Sequence, residues 1–314
     1  MWIPITIILA NVILAILIMS YVSYRRSFRS FKKKHCDVYH GTTGEMTDVK
    51  RKRREVIDKM LAVPCEDVYI TSYDGKKLHA RYYHVADGAP LAIQFHGYRS
   101  LAIRDFAGLA LECLELSQNI ILVDQRSHGE SEGKTISFGI KERFDVKSWI
   151  EYAISRFGEN TDIVLYGISM GAATVLLSSE LDLPKNVKGI IADCPFSGAG
   201  DIIRKVCASD GIPARIIYPL IKLGAFIFGG FNPDASTPVR AVANTEIPIL
   251  LIHGEGDDFV PCYMSDKIAA AGKTVTYVKI PEATHALALL YDKENYMNAL
   301  RAFLDKILEG ESKQ

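Results

Sequence analysis

The sequence contains no pair of cysteines at a spacing that suggests a bridge or a metal knuckle. Its six cysteines, at positions 36, 65, 113, 194, 207 and 262, are scattered. Cys113 and Cys194 lie inside apolar runs, where a thiol behaves as a small buried residue. Such usage suits a reducing compartment. The chain also lacks a cysteine/histidine cluster and a dinucleotide fingerprint, so neither a metal nor an organic cofactor is implied. Net charge is absent as well, since 37 Lys/Arg balance 37 Asp/Glu. The charge is unevenly spread: residues 1–54 carry eleven basic and three acidic side chains, leaving 26 against 34 in the rest. A mildly acidic body argues against nucleic acid as a partner. There is no internal repeat and no low-complexity tract. The 314 residues, 48% of them hydrophobic, suffice for one large domain or two small ones.

A further absence is local. Residues 2–22 hold no charge over 21 positions. As a helix this run would span about 31 Å, close to the hydrocarbon core of a bilayer. Trp2 lies at one end and Tyr21 and Tyr24 at the other, as interfacial aromatics do. A cleavable leader needs a basic segment before a shorter apolar core and small residues after it. Here no Lys or Arg precedes the run, and Tyr21-Val22-Ser23-Tyr24-Arg25-Arg26 ends it. The expectation is an uncleaved transmembrane anchor over residues 1–24, with the membrane as a partner. Arg25, Arg26, Arg29, Lys32, Lys33 and Lys34 all lie on its C-terminal flank. The positive-inside rule keeps such a flank in the cytoplasm, which predicts a single-pass cell-membrane protein with a cytosolic body.

Residues 25–63 read as a basic connector, including Gly41-Thr42-Thr43-Gly44, followed by a helix capped at Thr47-Asp48 and running to about Leu61. Its Lys50-Arg51-Lys52-Arg53-Arg54 run is either a lipid-facing basic surface or a solvated face. Val56, Ile57, Met60 and Leu61 have the spacing of a packing face. Over residues 64–314 short apolar runs alternate with helical stretches. Strands are expected at 66–71, 78–84, 91–95, 120–123, 163–166, 187–192, 249–252 and 275–280, and helices near 103–116, 140–157, 172–177, 264–271 and 286–308. This alternation is the signature of a mostly parallel sheet covered on both faces, with chemistry at the carboxyl ends of its strands. Residues 197–245 break the rhythm with Pro213, Pro219, Pro233 and Pro238 around the apolar stretches 216–217 and 223–228. An excursion of that length reads as an inserted helical lid.

Gly167-Ile168-Ser169-Met170-Gly171 falls between an expected strand and an expected helix. In that context Gly-x-Ser-x-Gly is a nucleophile elbow, whose glycines stand where any side chain would strike neighbouring backbone. A serine hydroxyl needs a base, and the base an orienting carboxylate. Of eight histidines, His285 follows the last strand at the mouth of the last helix and is the candidate base. His96, His128 and His253 each precede a glycine at a strand end and read as loop-shaping residues, while His35, His40, His79 and His84 lie too early. The carboxylate is Asp257 or Asp258, after the penultimate strand, with Asp193 a rival. Oxyanion donors are expected at the backbone N–H groups of Met170 and Tyr98.

His96-Gly97, Asp124-Gln125-Arg126-Ser127-His128-Gly129-Glu130-Ser131, the serine motif, residues 253–261 and Ala283-Thr284-His285-Ala286 together resemble the α/β-hydrolase superfamily. The nearest flavour is the bacterial esterase and serine-aminopeptidase-like branch, over about residues 66–309. The resemblance implies an α/β fold with an eight-stranded, mostly parallel sheet, and a triad of Ser169, Asp257 and His285. Asp257 takes the acid's place because the family uses the first aspartate of its motif. One departure is Ser127, where many relatives have glycine, and the anchor lies outside the resemblance. The implied activity is hydrolysis of a carboxylic ester through an acyl-enzyme. A peptidase or amidase using the same residues, and a silent membrane-tethered binding module, are the alternatives.

Overall fold

The computed structural model describes residues 2–30, 37–40 and 47–308, with backbone alone for 2–4. The expectations placed on the Trp2 ring, Lys32 to Lys34, His35, Cys36 and Gly41-Thr42-Thr43-Gly44 lie outside the described residues. Eight strands form one sheet: β1 (Glu66–Thr71), β2 (Lys77–Tyr83), β3 (Leu91–Phe95), β4 (Asn119–Asp124), β5 (Ile163–Ile168), β6 (Val187–Asp193), β7 (Ile249–Gly254) and β8 (Val275–Ile280). Their order is β1-β2-β4-β3-β5-β6-β7-β8. Strand β2 runs antiparallel to both of its neighbours, β1 and β4, and β3 to β8 are parallel to one another.

The sequence explains this order. Strands β3, β5 and β7 are buried along their whole length, as a sheet covered on both faces requires. Side chains alternate between the faces. Tyr166 and Ile168 point to a core that contains Ile57 and Met60 of α2 (Asp48–Leu61), Phe106 of α3 (Ala102–Glu115) and Leu300. Ile163 and Leu165 point to the opposite core, with Trp149 of α4 (Glu142–Phe157), Val175 of α5 (Met170–Ser178) and Ile268.

Two expectations change. The last helix is two: α10 (Ala288–Tyr291) and α11 (Lys293–Leu308), with α9 (Tyr263–Ala271) before β8. Asp292 makes the break, its carboxylate accepting the Asn295 N–H at 3.0 Å as a new helix start. On α2, Thr47 caps as expected, but Leu61 at its end is exposed while Ile57 and Met60 are buried.

The excursion between β6 and β7 folds as α6 (Ala199–Ser209), α7 (Ala214–Gly224), a π-helical turn (Ala225–Gly229) and α8 (Pro238–Ala243). Helices α6 and α7 and the π-helical turn build a third core with Phe138, Phe196 and, from the far end of the chain, Tyr24 and Phe28, while Val242 of α8 joins the core that holds Trp149. The two N-terminal aromatics belong to the exit of α1 (Trp2–Ser27). By length and composition this helix, over Ile5–Ser27, is long and apolar enough to cross a membrane. Its side chains from Ile5 to Met19 are exposed, and then Ser20 and Tyr24, four residues apart on one face, are buried. Helix α7 crosses there so closely that a Cβ at Gly224 would lie 2.2 Å from the Ser20 carbonyl oxygen.

The closest approach in the sheet region is between α5 and β3, where a Cβ on Gly171 would lie 1.7 Å from the Phe95 carbonyl oxygen. Neither backbone can yield without losing the sheet. Gly171→Ala is therefore expected to cost more than about 4 kcal/mol, enough to remove most of a domain's stability. Gly88→Ala, at φ +75° in open space, should cost about 1–2 kcal/mol. Thermal melts and soluble yield of the two variants check the contrast, and a well-folded Gly171→Ala protein would contradict it.

Candidate active site

Ser169 sits between β5 and α5 at φ 55°, ψ −114°, a region that L-residues avoid at a cost of about 1–3 kcal/mol. Two features hold it there. Its N–H donates to the Asp193 carbonyl at 2.8 Å, and a Cβ on Gly167 would meet the Ala172 nitrogen at 2.4 Å, so only glycine lets the chain turn back. The hydroxyl thereby stands beyond the sheet edge and beside His285, whose Nε2 is 2.9 Å from Ser169 Oγ.

His285 lies on the loop after β8, and that loop is fitted against the loop after β7. The Glu255 N–H donates to the Ile280 carbonyl at 2.9 Å and the Gly256 N–H to Ala283 at 3.1 Å. This docking carries Asp257 to His285, with Oδ2 2.6 Å from Nδ1. The other carboxylate oxygen accepts the N–H groups of Phe259, at 2.9 Å, and Val260, at 2.8 Å. Burial pushes the Asp257 carboxyl up, but the His253 and His285 imidazoles and the Val260 N–H outweigh it and hold the group at about 2. An anionic Asp257 can only accept, so His285 Nδ1 carries a proton toward it, the tautomer in which Nε2 accepts from the Ser169 hydroxyl.

Asp258 is exposed, its carbonyl taken by the Lys205 ammonium. Asp193 lies at the end of β6 and is fully buried, with Oδ1 lacking a hydrogen-bond partner among the described residues. Of the three candidate carboxylates only Asp257 bonds His285.

The other strand-end histidines shape loops. His96 accepts the Gln125 N–H through Nε2 at 3.1 Å and donates from Nδ1 to the Gly97 carbonyl at 2.8 Å. His128 accepts the Arg99 N–H at 3.0 Å. Burial lowers the pKa of both imidazoles, that of His128 well below its ordinary value, so both are neutral. His79 is not at the periphery but buried in the second strand, bonded to Asp124 at 2.9 Å and Asp67 at 3.0 Å. His253 bonds Ser265 at 2.6 Å and donates to the Val260 carbonyl at 2.8 Å, bracing the Asp257 loop.

The loop after β3 commits its N–H groups in turn. Gly97 donates to Asp105 Oδ2 at 2.9 Å and Ser100 to the Gly97 carbonyl at 3.3 Å. Among the described residues the Tyr98 N–H between them has no protein acceptor. Met170 opens α5, so its N–H has no intrahelical acceptor either. Asp105 was not singled out from the sequence, although an acidic residue in a first helical turn right after His96-Gly97 was the available signal.

Ser169 opens into a cavity of about 260 Å³ whose walls are mostly apolar, among them Phe138, Phe196, Ile202, Ile217 and Ile221. Ser23, Arg26 and Ser27 of α1 line it as well, a contribution that nothing in the local sequence announced. Cys194, Asp257 and His285 also bring three potential metal-ligand atoms within 4.8 Å of one another. Burial lifts the Cys194 thiol well above its ordinary pKa, so it stays neutral and is a poor ligand.

No known protein-family profile matches the chain. The order of strands, the elbow and its surroundings nevertheless define an α/β-hydrolase fold, and solved structures agree. The chain is similar to the esterase Pf2001 of Pyrococcus furiosus, with a TM-score of 0.62 and 22% identity over 85% of this chain and 96% of that one. It is similar also to the α/β hydrolase GrgF from Penicillium sp. sh18, with a TM-score of 0.64 and 16% identity over 78% of this chain and 99% of that one. In sequence, it is 27% identical to the uncharacterised protein YqkD of Bacillus subtilis (strain 168), over 72% of this chain and 75% of that one.

Burial raises the Asp193 carboxyl to about 6, against an opposing pull from His253. A folded pKa above the unfolded one means that the folded state binds the extra proton, so stability falls as pH rises from about 4 to 6 and the deficit is complete above that. Two units correspond to about 3 kcal/mol. Asp193→Asn should therefore melt close to wild type at pH 4 and above it at pH 8. Melting curves at the two pH values check this, and a variant destabilised most at pH 8 would refute it.

Proposed function

We propose that the protein is a membrane-anchored serine hydrolase that cleaves carboxylic esters through an acyl-enzyme. The observation that carries this reading is the unbroken hydrogen-bond chain Ser169–His285–Asp257, made by the loops after β5, β8 and β7. Ser169 Oγ attacks the carbonyl carbon as its proton passes to His285 Nε2. The N–H groups of Met170 and Tyr98 receive the oxyanion. His285 returns the proton to the departing alkoxide, then takes one from the water that attacks the acyl-enzyme and gives it to Ser169 Oγ as the acyl–oxygen bond breaks and the acid leaves. Asp257, anionic throughout, stabilises the imidazolium in both halves.

An ester fits the cavity better than a cationic amino-terminal amide does. Its one acidic lining residue, Asp210, is paired with Arg26 at 3.7 Å, and an amino group would need a carboxylate of its own. The anchor reading draws support from the packing of α1. Tyr24 Oη bonds Thr135 Oγ1 at 2.6 Å, and the Ile136 N–H donates to the Phe28 carbonyl at 2.7 Å. A leader destined for removal has no reason to be built into the body in this way. The flank Arg25, Arg26 and Arg29 supports a cytosolic body through the positive-inside rule.

A fluorophosphonate probe is expected to label the wild-type chain and not Ser169→Ala. Loss of labelling in folded wild-type protein sinks the hydrolase reading. Asp257→Asn should lower kcat by about 10⁴, whereas Asp258→Asn should stay within a fewfold of wild type. The reverse order in steady-state kinetics would move the acid by one residue. For topology, protease added outside intact cells should leave the body whole, and its digestion there would overturn the cytosolic placement.

A further inference from the structure

Resting on that reading, we infer that the substrate is an acyl-chain amphiphile drawn directly from the bilayer leaflet, through a portal whose wall is the anchor helix itself.

Three sets of observations converge on this. The first is position. The cavity at Ser169 is lined by Ser23, Arg26 and Ser27, on the two turns that follow the exposed apolar part of α1. Arg26 and Asp210, both exposed and 3.7 Å apart, mark its mouth. Arg26 is four residues beyond Val22, the last of the uncharged run. That is about 6 Å along a helix, within the headgroup layer of about 5–7 Å on each side of the hydrocarbon. With α1 in a membrane, the mouth opens at the depth where lipid esters lie.

The second is the surface around the mouth. The π-helical turn Ala225–Gly229 is held against α1, with the Phe228 ring 5.0 Å from Tyr21 and 5.9 Å from Tyr24. Next to it Phe226 is 68% exposed and Ile227 46%. Large apolar side chains at that level are costly in water and at home in the interfacial region. They continue the exposed apolar surface of α1, so one occupant, the bilayer, covers both.

The third is the cavity. Its volume of about 260 Å³ lies beside Ser169 behind mostly apolar walls, which suits an acyl chain. Its walls include the aliphatic Ile202, Ile203, Val206, Ile217 and Ile221, and its charged lining residues are Arg26, paired with Asp210, and Arg99. The anchor also reaches the chemistry. Tyr98 Oη donates to the Ser27 carbonyl at 2.8 Å, and Arg99 Nη2 to the Arg26 carbonyl at 2.8 Å, so the end of α1 holds the loop that carries the Tyr98 N–H.

The full chain, reconstituted in phosphatidylcholine vesicles, tests this with two substrates: monodecanoylglycerol in the bilayer and p-nitrophenyl butyrate in water. The rim variant Phe226→Ser/Ile227→Ser lies outside the cavity. It should lose about tenfold or more on the vesicle substrate, as expected from two large side chains withdrawn from an apolar surface, with butyrate turnover within about twofold serving as its folding control. Equal behaviour of the rim variant on both substrates overturns the portal. So does a rim variant that changes only the oligomeric state, because the patch then contacts a second copy. If wild type turns over butyrate and labels with fluorophosphonate but ignores the vesicle substrate, this inference fails while the hydrolase reading stands. If it does neither, the hydrolase reading fails.

Discussion

The backbone at Ser169 is held at a positive φ that a serine does not choose, and the surroundings of the site follow from that constraint. Relaxing it would turn the hydroxyl back toward the sheet. It persists because β5 and α5 are both clamped, β5 by parallel neighbours on each side and α5 by its approach to the end of β3. Local strain of about 1–3 kcal/mol is thus held by a core too well packed to let it go. The same closeness that forbids a Cβ at Gly171 brings the start of α5, with its free N–H groups, beside the loop that follows β3.

A second layer of organisation comes from buried polar contacts. Asp257 is a charge taken out of water, tolerable because both of its oxygens are bonded, one to His285 and one to two backbone N–H groups. Neutral His96 and His128 stack edge to face at 4.7 Å and tie the loops after β3 and β4 together. Asp193 is the exception, a buried carboxyl with an unsatisfied oxygen among the described residues. Its carbonyl bond to the Ser169 N–H gives the backbone a structural duty there; its side chain is not used by the chemistry we propose.

The inserted helices α6 and α7, between β6 and β7, pack with α1 in one core, which also takes in Met170, Ala173 and Leu177 of α5. Their shared core joins Tyr24 and Phe28 to Phe138, Ile202 and Tyr218 across nearly two hundred residues of chain. Phe28 meets Phe138 and Phe231 edge-on, at 5.7 and 5.1 Å. Sequence patterns reported the two parts separately, as a charge-free run and as a proline-punctuated excursion. The contact between them was not legible, because aromatic residues at the end of an apolar helix read equally well as an interfacial belt. The break in the last helix is hidden from sequence patterns for a related reason: Asp292 reads as an ordinary solvent-facing residue, and only in the fold does its carboxylate accept the Asn295 N–H.

By itself the sequence determined the strands, their buried character, the elbow glycines and the family of folds, since each depends on short-range spacing and on backbone sterics that act between near neighbours. It left Asp257, Asp258 and Asp193 as open choices on residue reading alone, because which carboxylate meets a histidine is decided by how two loops dock and not by either loop's own sequence. Tertiary structure supplied that choice through the backbone bonds between residues 254–256 and 280–283. It also turned the end of α1 into a wall of the cavity at Ser169. Packing of that kind joins segments far apart in the chain, and no local period records it.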